Sequence, residues 1–419
     1  MSISQHELGR RLREAREACH MTQDDVARHL HLSRSSIVQM ELGNRTVTSL
    51  ELDRLAALFG RDIREFLAED FREDDALVAF FRRHPDVAQH AEVVEALRTC
   101  LALGREVTNL EHLLGMYHDP GLLPAYPVPG PRSKWDAVQQ GRHLAEDERR
   151  RLGLGIAPLT IVAELLATQG VRTAQVDLPE DISGLMLCEP HLGPFVVANR
   201  QHHVLRRRFS YAHEYAHVLL DRERRGTISR TSERDHLLEV RANAFAAHVL
   251  MPDAGAHQFM ASLGKGRPGR QQAEVFDESG VVYARAQPQS QEVQMYDVVL
   301  LAHHFGTSQL TTLYRLRNLG YLTAGELAHL TAQEAAGVGK EVAAMLALPE
   351  INHEAARHTF RQRFVRLGLE AWRRDKITRA KLVELAGMVE VAATDLAHVL
   401  QDVALDDQEE AGDVVLPGE

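Results

Sequence analysis

Between residues 119 and 132 the chain reads DPGLLPAYPVPGPR, five prolines and two glycines in 14 positions. Proline lacks an N–H and holds φ at about −65°, so this stretch supports neither a helix interior nor a central strand. It interrupts a chain of 419 residues, a length that calls for two to four domains. The parts on either side must therefore bury their own cores.

Composition bounds the class. Apolar residues make up 44% and charged residues 26%, as in ordinary globular proteins. No run of about 18 apolar residues suggests a membrane helix, and no apolar stretch follows the first arginines as in a signal peptide. Cys19, Cys100 and Cys188 are too few and too scattered for a disulfide framework or a CxxC zinc site, so the cytoplasm is the expected compartment. Net charge is −11, which argues against general coating of nucleic acid. Residues 401–419 hold seven acids and no base, and the remainder carries −4. That tail reads as solvated and disordered.

Periodicity changes along the chain. Residues 5–70 read as short helices with tight turns, and 71–118 continue in helical rhythm. Two helices are expected between Trp135 and Gly170. Strands follow in VRTAQVDL, SGLMLC and PFVVANR, separated by Pro, Gly and Asp. Residues 203–223 and 233–251 are helical, 262–294 are loop or irregular β, and 295–404 are again mostly helical.

Within FSYAHEYAHVLLDRE, His213, Glu214 and His217 form HExxH. On a helix, positions i and i+4 share one face, so both imidazoles can reach one ion, and the intervening carboxylate stands beside them to deprotonate an activated water. Zinc accepts such nitrogen and oxygen donors and keeps a fourth position open in catalytic sites. Glu239 opens a second helix, EVRANAFAAHVLMP, 22 residues after His217. It reads as the third ligand, against the alternative of an ordinary surface carboxylate. Asp221, at i+4 from His217, reads as a possible acceptor for that imidazole or a helix-end surface acid. Tyr211, His236, His248 and His257 are candidates to stabilise an oxyanion. PFVVANR is the candidate strand along which an extended substrate would add.

FSYAHEYAHVLL followed by EVRANAFAAHVLMP resembles the ImmA/IrrE family of zinc metallopeptidases, over roughly residues 135–320. The resemblance implies that His213, His217 and Glu239 bind the metal, that Glu214 is the general base, and that Asn243 packs the helices or holds a ligand. Mn²⁺ or Fe²⁺ could occupy the same donors in place of Zn²⁺.

Near the start, MTQDDVA, LSRSSIVQMELGNR and LDRLAALFG follow a helix-turn-helix rhythm. Thr22 is an N-cap with Asp24 and Asp25 in the first turn, and Ser33 caps the next helix. This stretch resembles the XRE family. By that resemblance Arg13 and Gln23 would meet phosphates, Arg34, Ser35, Ser36 and Gln39 would face base edges, and Asn44 and Arg45 the backbone of a double-stranded operator. Residues 1–70 carry a charge of −2, so phosphate binding would rest on local clustering such as Arg10, Arg11, Arg13 and Arg16. A helix-turn-helix used for protein contact is the alternative.

The expected fold is multidomain and mainly α: an all-α helix-turn-helix domain (1–70), a helical connector and linker (71–132), an α+β zincin-like peptidase domain with a small sheet (133–325), a helical domain (326–404) and the tail (405–419). Residues 298–321 look like two helices around a turn, with packing preferred over a second DNA-binding role. The expected function is a DNA-binding regulator fused to a zinc endopeptidase that cleaves a protein, an XRE-type repressor by analogy with the family. Homodimer formation would strengthen DNA contacts. A non-proteolytic regulator whose zincin-like part senses a ligand or partner is the alternative.

Overall fold

A computed structural model describes residues 3–19, 21–59, 63–67, 80–81, 84–116, 123–124, 126–189, 193–224, 226–233, 235–265, 271–274, 281–284, 292–349, 355–392 and 394–396. The acidic tail lies outside the described residues, as does 71–79. The chain is multidomain and mainly α-helical, with one small mixed sheet and a two-stranded hairpin. It forms two compact units. One comprises Met1–Leu122, Pro190–Leu192 and Arg357–Glu419, the other Leu123–Glu189 and Gly193–Ala356.

In the first unit, α1 (Gln5–Ala18), α2 (Gln23–Leu30), α3 (Arg34–Glu41), α4 (Ser49–Leu58) and α5 (Ile63–Leu67) enclose Leu12, Val26, Leu30, Ile37, Met40, Leu55 and Phe66. The local reasons are legible. Thr22 and Asp25 make a reciprocal capping box at the start of α2, His31 ends it in the left-handed region at φ 55°, and the Ser33 hydroxyl accepts from Ser36 N–H to start α3. Arg16 and Glu41, both buried, join α1 to α3 at 2.6 Å. After α6 (Pro85–Ala88), the long α7 (Ala91–Leu113) packs Val107 and Leu110 against Phe364 and Leu367 of α17 (Ala355–Arg373) and Leu385 of α18 (Arg379–Met388). Arg363 donates to Glu111 Oε1 at 2.6 Å across the same contact.

In the second unit, α8 (Lys134–Arg151) and α9 (Val162–Thr168) precede β1 (Arg172–Val176), β2 (Ile182–Glu189) and β3 (Gly193–Asn199). Next come α10 (Val204–Leu220), β4 (Gly226–Arg230), α11 (Leu237–Leu250) and α12 (Asp253–Ser262). Sheet order is β1-β3-β2-β4, with β1 parallel to β3 and the other pairs antiparallel. Buried Val196, Ala198, Tyr215, Val218, Phe245 and Val249 join the sheet, α10 and α11 into one core. Small residues set the spacing of α8 and α11: a Cβ on Gly141 would come within 2.3 Å of the Arg241 carbonyl. Strands β5 (Gln271–Glu274) and β6 (Val281–Ala284) form the hairpin within the stretch read as loop or irregular β.

Three expectations change. β3 was the expected substrate strand, yet it is paired on both sides, by β1 and β2. Its backbone groups are already engaged, and the free edges among the described residues are β1 and β4. The Pro-rich segment is not wholly a connector. Leu123 is buried and Tyr126 donates to Glu148 Oε2 of α8 at 2.8 Å, so these two side chains anchor it, while 127–130 stay exposed. Residues 326–404 also do not form one body. Leu330 of α15 (Ala324–Ala335) and Val338 and Val342 of α16 (Val338–Met345) pack with α13 (Met295–Phe305) and α14 (Gln309–Asn318) in the second unit, while α17 and α18 belong to the first. Hydrophobic periodicity locates such faces without naming the surface that covers them.

The α13–α14 turn repeats the caps of α2–α3: Gly306 is left-handed and Ser308 caps α14. Leu313, Arg315 and Leu316 of α14 are buried, while Leu310, Tyr314 and Arg317 are exposed.

Candidate metal centre

Helix α10 carries His213 and His217 four residues apart, and α11 crosses it with Glu239 in its first turn. The three side chains converge and are all buried. His217 Nε2 lies 3.3 Å from His213 Nε2, Glu239 Oε2 lies 3.1 Å from His213 Nε2, and Glu239 Oε1 lies 3.3 Å from His217 Nε2. These are tetrahedral edges: ligands at about 2.0–2.1 Å from a zinc ion stand roughly 3.3 Å apart. The donor set and its spacing fit one divalent cation.

The far side of each imidazole is also held. His213 Nδ1 is 2.9 Å from Asn243 Oδ1, and His217 Nδ1 is 2.9 Å from Asp221 Oδ2. Both acceptors require a proton on Nδ1, so each Nε2 is left to face Glu239, donating to it when the ring is protonated and offering a lone pair when a cation replaces that proton. Asp221 is in turn clamped by Arg241, whose Nη2 donates to Oδ1 and Oδ2 at 2.9 and 3.1 Å, and Arg241 Nη1 reaches Gln140 Oε1 at 3.4 Å. No sequence spacing pointed to Arg241, because its partner lies 20 residues away.

Electrostatics follow from burial and pairing. Burial works to raise the Glu239 pKa, but hydrogen bonds from His213 and His217 outweigh it and hold the carboxyl well below its usual range. Burial works to lower His217, and its bonds to Asp221 and Glu239 instead push it up to about 10. Glu214 is fully buried, and among the described residues its one nearby hydrogen-bonding group is the Ser229 hydroxyl, too poorly placed for an ordinary hydrogen bond. Burial raises its pKa against the opposing charges of His213 and His217. A glycine makes room for it: a Cβ on Gly184 of β2 would lie 3.0 Å from Glu214 Oε1. Gly184 registers with Ser229 of β4, whose buried hydroxyl is turned to Glu214 and works against that rise.

Three of the oxyanion candidates are engaged by other groups. Tyr211 donates to the Ala174 carbonyl at 3.1 Å. His248 Nδ1 bonds the Ala244 carbonyl at 2.7 Å, and its Nε2 accepts from Arg315 at 3.0 Å, so burial and that guanidinium depress it to about 4. His257 Nδ1 meets the Tyr321 hydroxyl at 2.7 Å. His236 sits at the N-cap of α11 without a capping bond from its side chain.

In the first unit, Ser35 and Ser36 both bond the Ser33 hydroxyl, at 2.8 and 2.9 Å. Gln39 accepts from Asn44 at 3.0 Å. Carboxylates engage the others: Arg13 pairs with Glu17 at 2.8 Å, Gln23 donates to Glu41 at 2.9 Å, Arg34 lies 3.6 Å from Asp24, and Arg45 donates to Glu51 at 2.7 Å. The expected arginine cluster on α1 is not one surface. Arg11 is buried and donates to the Phe66 carbonyl, and Arg16 is buried against Glu41. A helix shows successive faces every few residues, so neighbours in sequence divide between core and solvent.

Residues 167–267 match the family model of the IrrE N-terminal-like domain (Peptidase_M78), and residues 7–68 match a helix-turn-helix domain model. No curated protein and no solved structure matches the chain. The chain therefore joins a helix-turn-helix domain to an IrrE N-terminal-like domain of the peptidase M78 type.

Proposed function

We propose that this protein is a DNA-binding regulator with a metal-dependent endopeptidase centre, zinc being the metal that suits its donors. The observation that carries the reading is convergence: two Nε2 atoms and one carboxylate at tetrahedral spacing, beside the buried Glu214 carboxylate. His213, His217 and Glu239 would hold the ion. Zinc, when bound, supplies a Lewis acid that polarises a carbonyl and acidifies water. Glu214 takes the proton of the attacking water on a carboxylate oxygen and delivers it to the leaving amine nitrogen as the C–N bond breaks. Asn243 and Asp221 hold both imidazoles in the ligating tautomer. The free edge of β4, whose Ser229 registers with the glycine beneath Glu214, supports an extended peptide added to that strand. A transcriptional repressor is the proposed substrate, and double-stranded DNA the partner of α2 and α3, with the chain acting as a homodimer.

Glu214→Gln keeps the shape and removes the base. The wild type should bind one zinc per chain and cleave a cognate repressor, whereas the variant should bind zinc equally and cleave nothing. Cleavage surviving in the variant removes Glu214 from this role, and absence of cleavage by the zinc-loaded wild type favours a regulator that senses without proteolysis.

A further inference from the structure

Two buried polar groups beside the metal centre face each other, and among the described residues neither makes an ordinary hydrogen bond. One is the Glu214 carboxylate of α10, the other the Ser229 hydroxyl of β4, which is 2% exposed. The sheet brings them together. Ser229 registers with Gly184 of β2, and a Cβ on Gly184 would stand 3.0 Å from Glu214 Oε1. A residue without a Cβ therefore leaves the space in which hydroxyl and carboxylate meet. The strand beneath is held, since the Ser229 carbonyl accepts from the Ser183 hydroxyl at 3.2 Å.

Thr227, two residues earlier on β4, gives a comparison within the same strand. Alternate residues of a strand share a face, and the Thr227 hydroxyl is also buried without a partner among the described residues. It registers with Met186, so a long side chain, not a gap, stands beside it. A buried hydroxyl and a buried carboxylate have each lost water, and one bond between them satisfies both. Ser229 can turn about its Cα–Cβ and C–O bonds without moving the strand.

We infer that Ser229 is the positioning residue of Glu214: its Oγ–H donates to Oε1, the oxygen beside Gly184, and leaves Oε2 toward the water to be deprotonated. The inference rests on the peptidase reading for what Glu214 does, though not for the bond itself. A carboxylate held at one oxygen presents the other in a single orientation, as proton transfer over hydrogen-bond distance requires. β4 is also the edge proposed to receive an extended substrate, so the strand that aligns the peptide would align the base.

The test is a stability cycle on the full-length, metal-free chain, with Ser229→Ala, Glu214→Leu and the double variant read by calorimetric melts. Ser229→Ala should lower Tm by about 2–4 °C in the parent chain. In the Glu214→Leu background the same change should move Tm by less than about 1 °C, because no carboxylate remains to lose its donor. Thr227→Ala should shift Tm equally in both backgrounds. On the zinc-loaded chain with a cognate repressor, Ser229→Ala should lower kcat about ten- to a hundredfold with KM and bound zinc unchanged. Ser229→Thr, which keeps the hydroxyl, should recover most of that loss. Equal Tm shifts for Ser229→Ala in the two backgrounds overturn the inference. So does an unchanged kcat in Ser229→Ala, or a loss that Ser229→Thr does not recover. The cycle needs no substrate, so it decides the bond even for a chain that cleaves nothing, and the two readings fail separately.

Discussion

Asp221 closes α10 and places its Oδ2 2.9 Å from Nδ1 of His217, one helical turn back. That contact makes the imidazole a one-sided ligand, and Arg241 keeps the carboxylate from turning away. Asp221→Asn should retain the fold and weaken zinc binding by about 10–100-fold. Competition with a chelator of known affinity measures it. An unchanged affinity would show that the tautomer is set by something other than Asp221.

Stability of the metal-free protein should depend on pH through His217. Its folded pKa, about 10, lies above the unfolded value of about 6.5. The stabilisation is therefore fully present below about pH 6.5 and is lost as pH rises through about 10. Glu239, depressed in the folded state, works in the opposite sense, with its contribution lost only in acid. The metal-free Tm should thus fall between pH 7 and 10, and His217→Gln should flatten the slope. Zinc takes the place of the proton, so its affinity should rise across the same window. Calorimetry with and without chelator reads both.

Gly184 is where the sheet admits the Glu214 carboxylate. A Cβ there would lie 2.8 Å from the Val197 carbonyl as well as against Glu214. Gly184→Val should cost about 1–3 kcal/mol in overpacking and, by displacing Glu214, lower kcat on the order of a hundredfold. Bound zinc should be unaffected. Denaturant melts, metal analysis and cleavage rates separate the three effects.

The buried Arg16–Glu41 pair ties α1 to α3 inside the helix-turn-helix unit. Glu41→Ala leaves the buried guanidinium only the half-exposed Glu17, at 3.3 Å, and should destabilise this unit by up to about 3–5 kcal/mol. The double variant Arg16→Met, Glu41→Leu should recover most of that loss. Chemical unfolding followed by a probe in residues 1–59 tests the difference.

On DNA, the exposed Arg34 and Gln39 of α3 should act unlike Arg13. Substituting Arg34 or Gln39 with Ala should lower discrimination between operator and random duplex by about 1–3 kcal/mol per lost base contact. Arg13→Ala should weaken both duplexes alike and reduce the salt slope by about one. Anisotropy titrations across a salt series distinguish them.

Local chemistry explains what was legible in the sequence. His213 and His217 share a face because a helix places i and i+4 together, and Thr22 with Asp25 or Ser33 with Ser36 can satisfy helix ends from neighbours alone. The positions of these helices, the sheet segments and the HExxH pair could thus be read without coordinates. Tertiary structure decided everything that depends on which surface meets which. It brought Glu239 within 3.1 Å of His213 and seated Arg241 on Asp221. It made β3 an interior strand and left β4 at the edge. It divided the C-terminal helices between two cores and turned Arg11 and Arg16 inward. Periodicity reports that a face will be buried, whereas its partner is selected by long-range packing that no short window of sequence encodes.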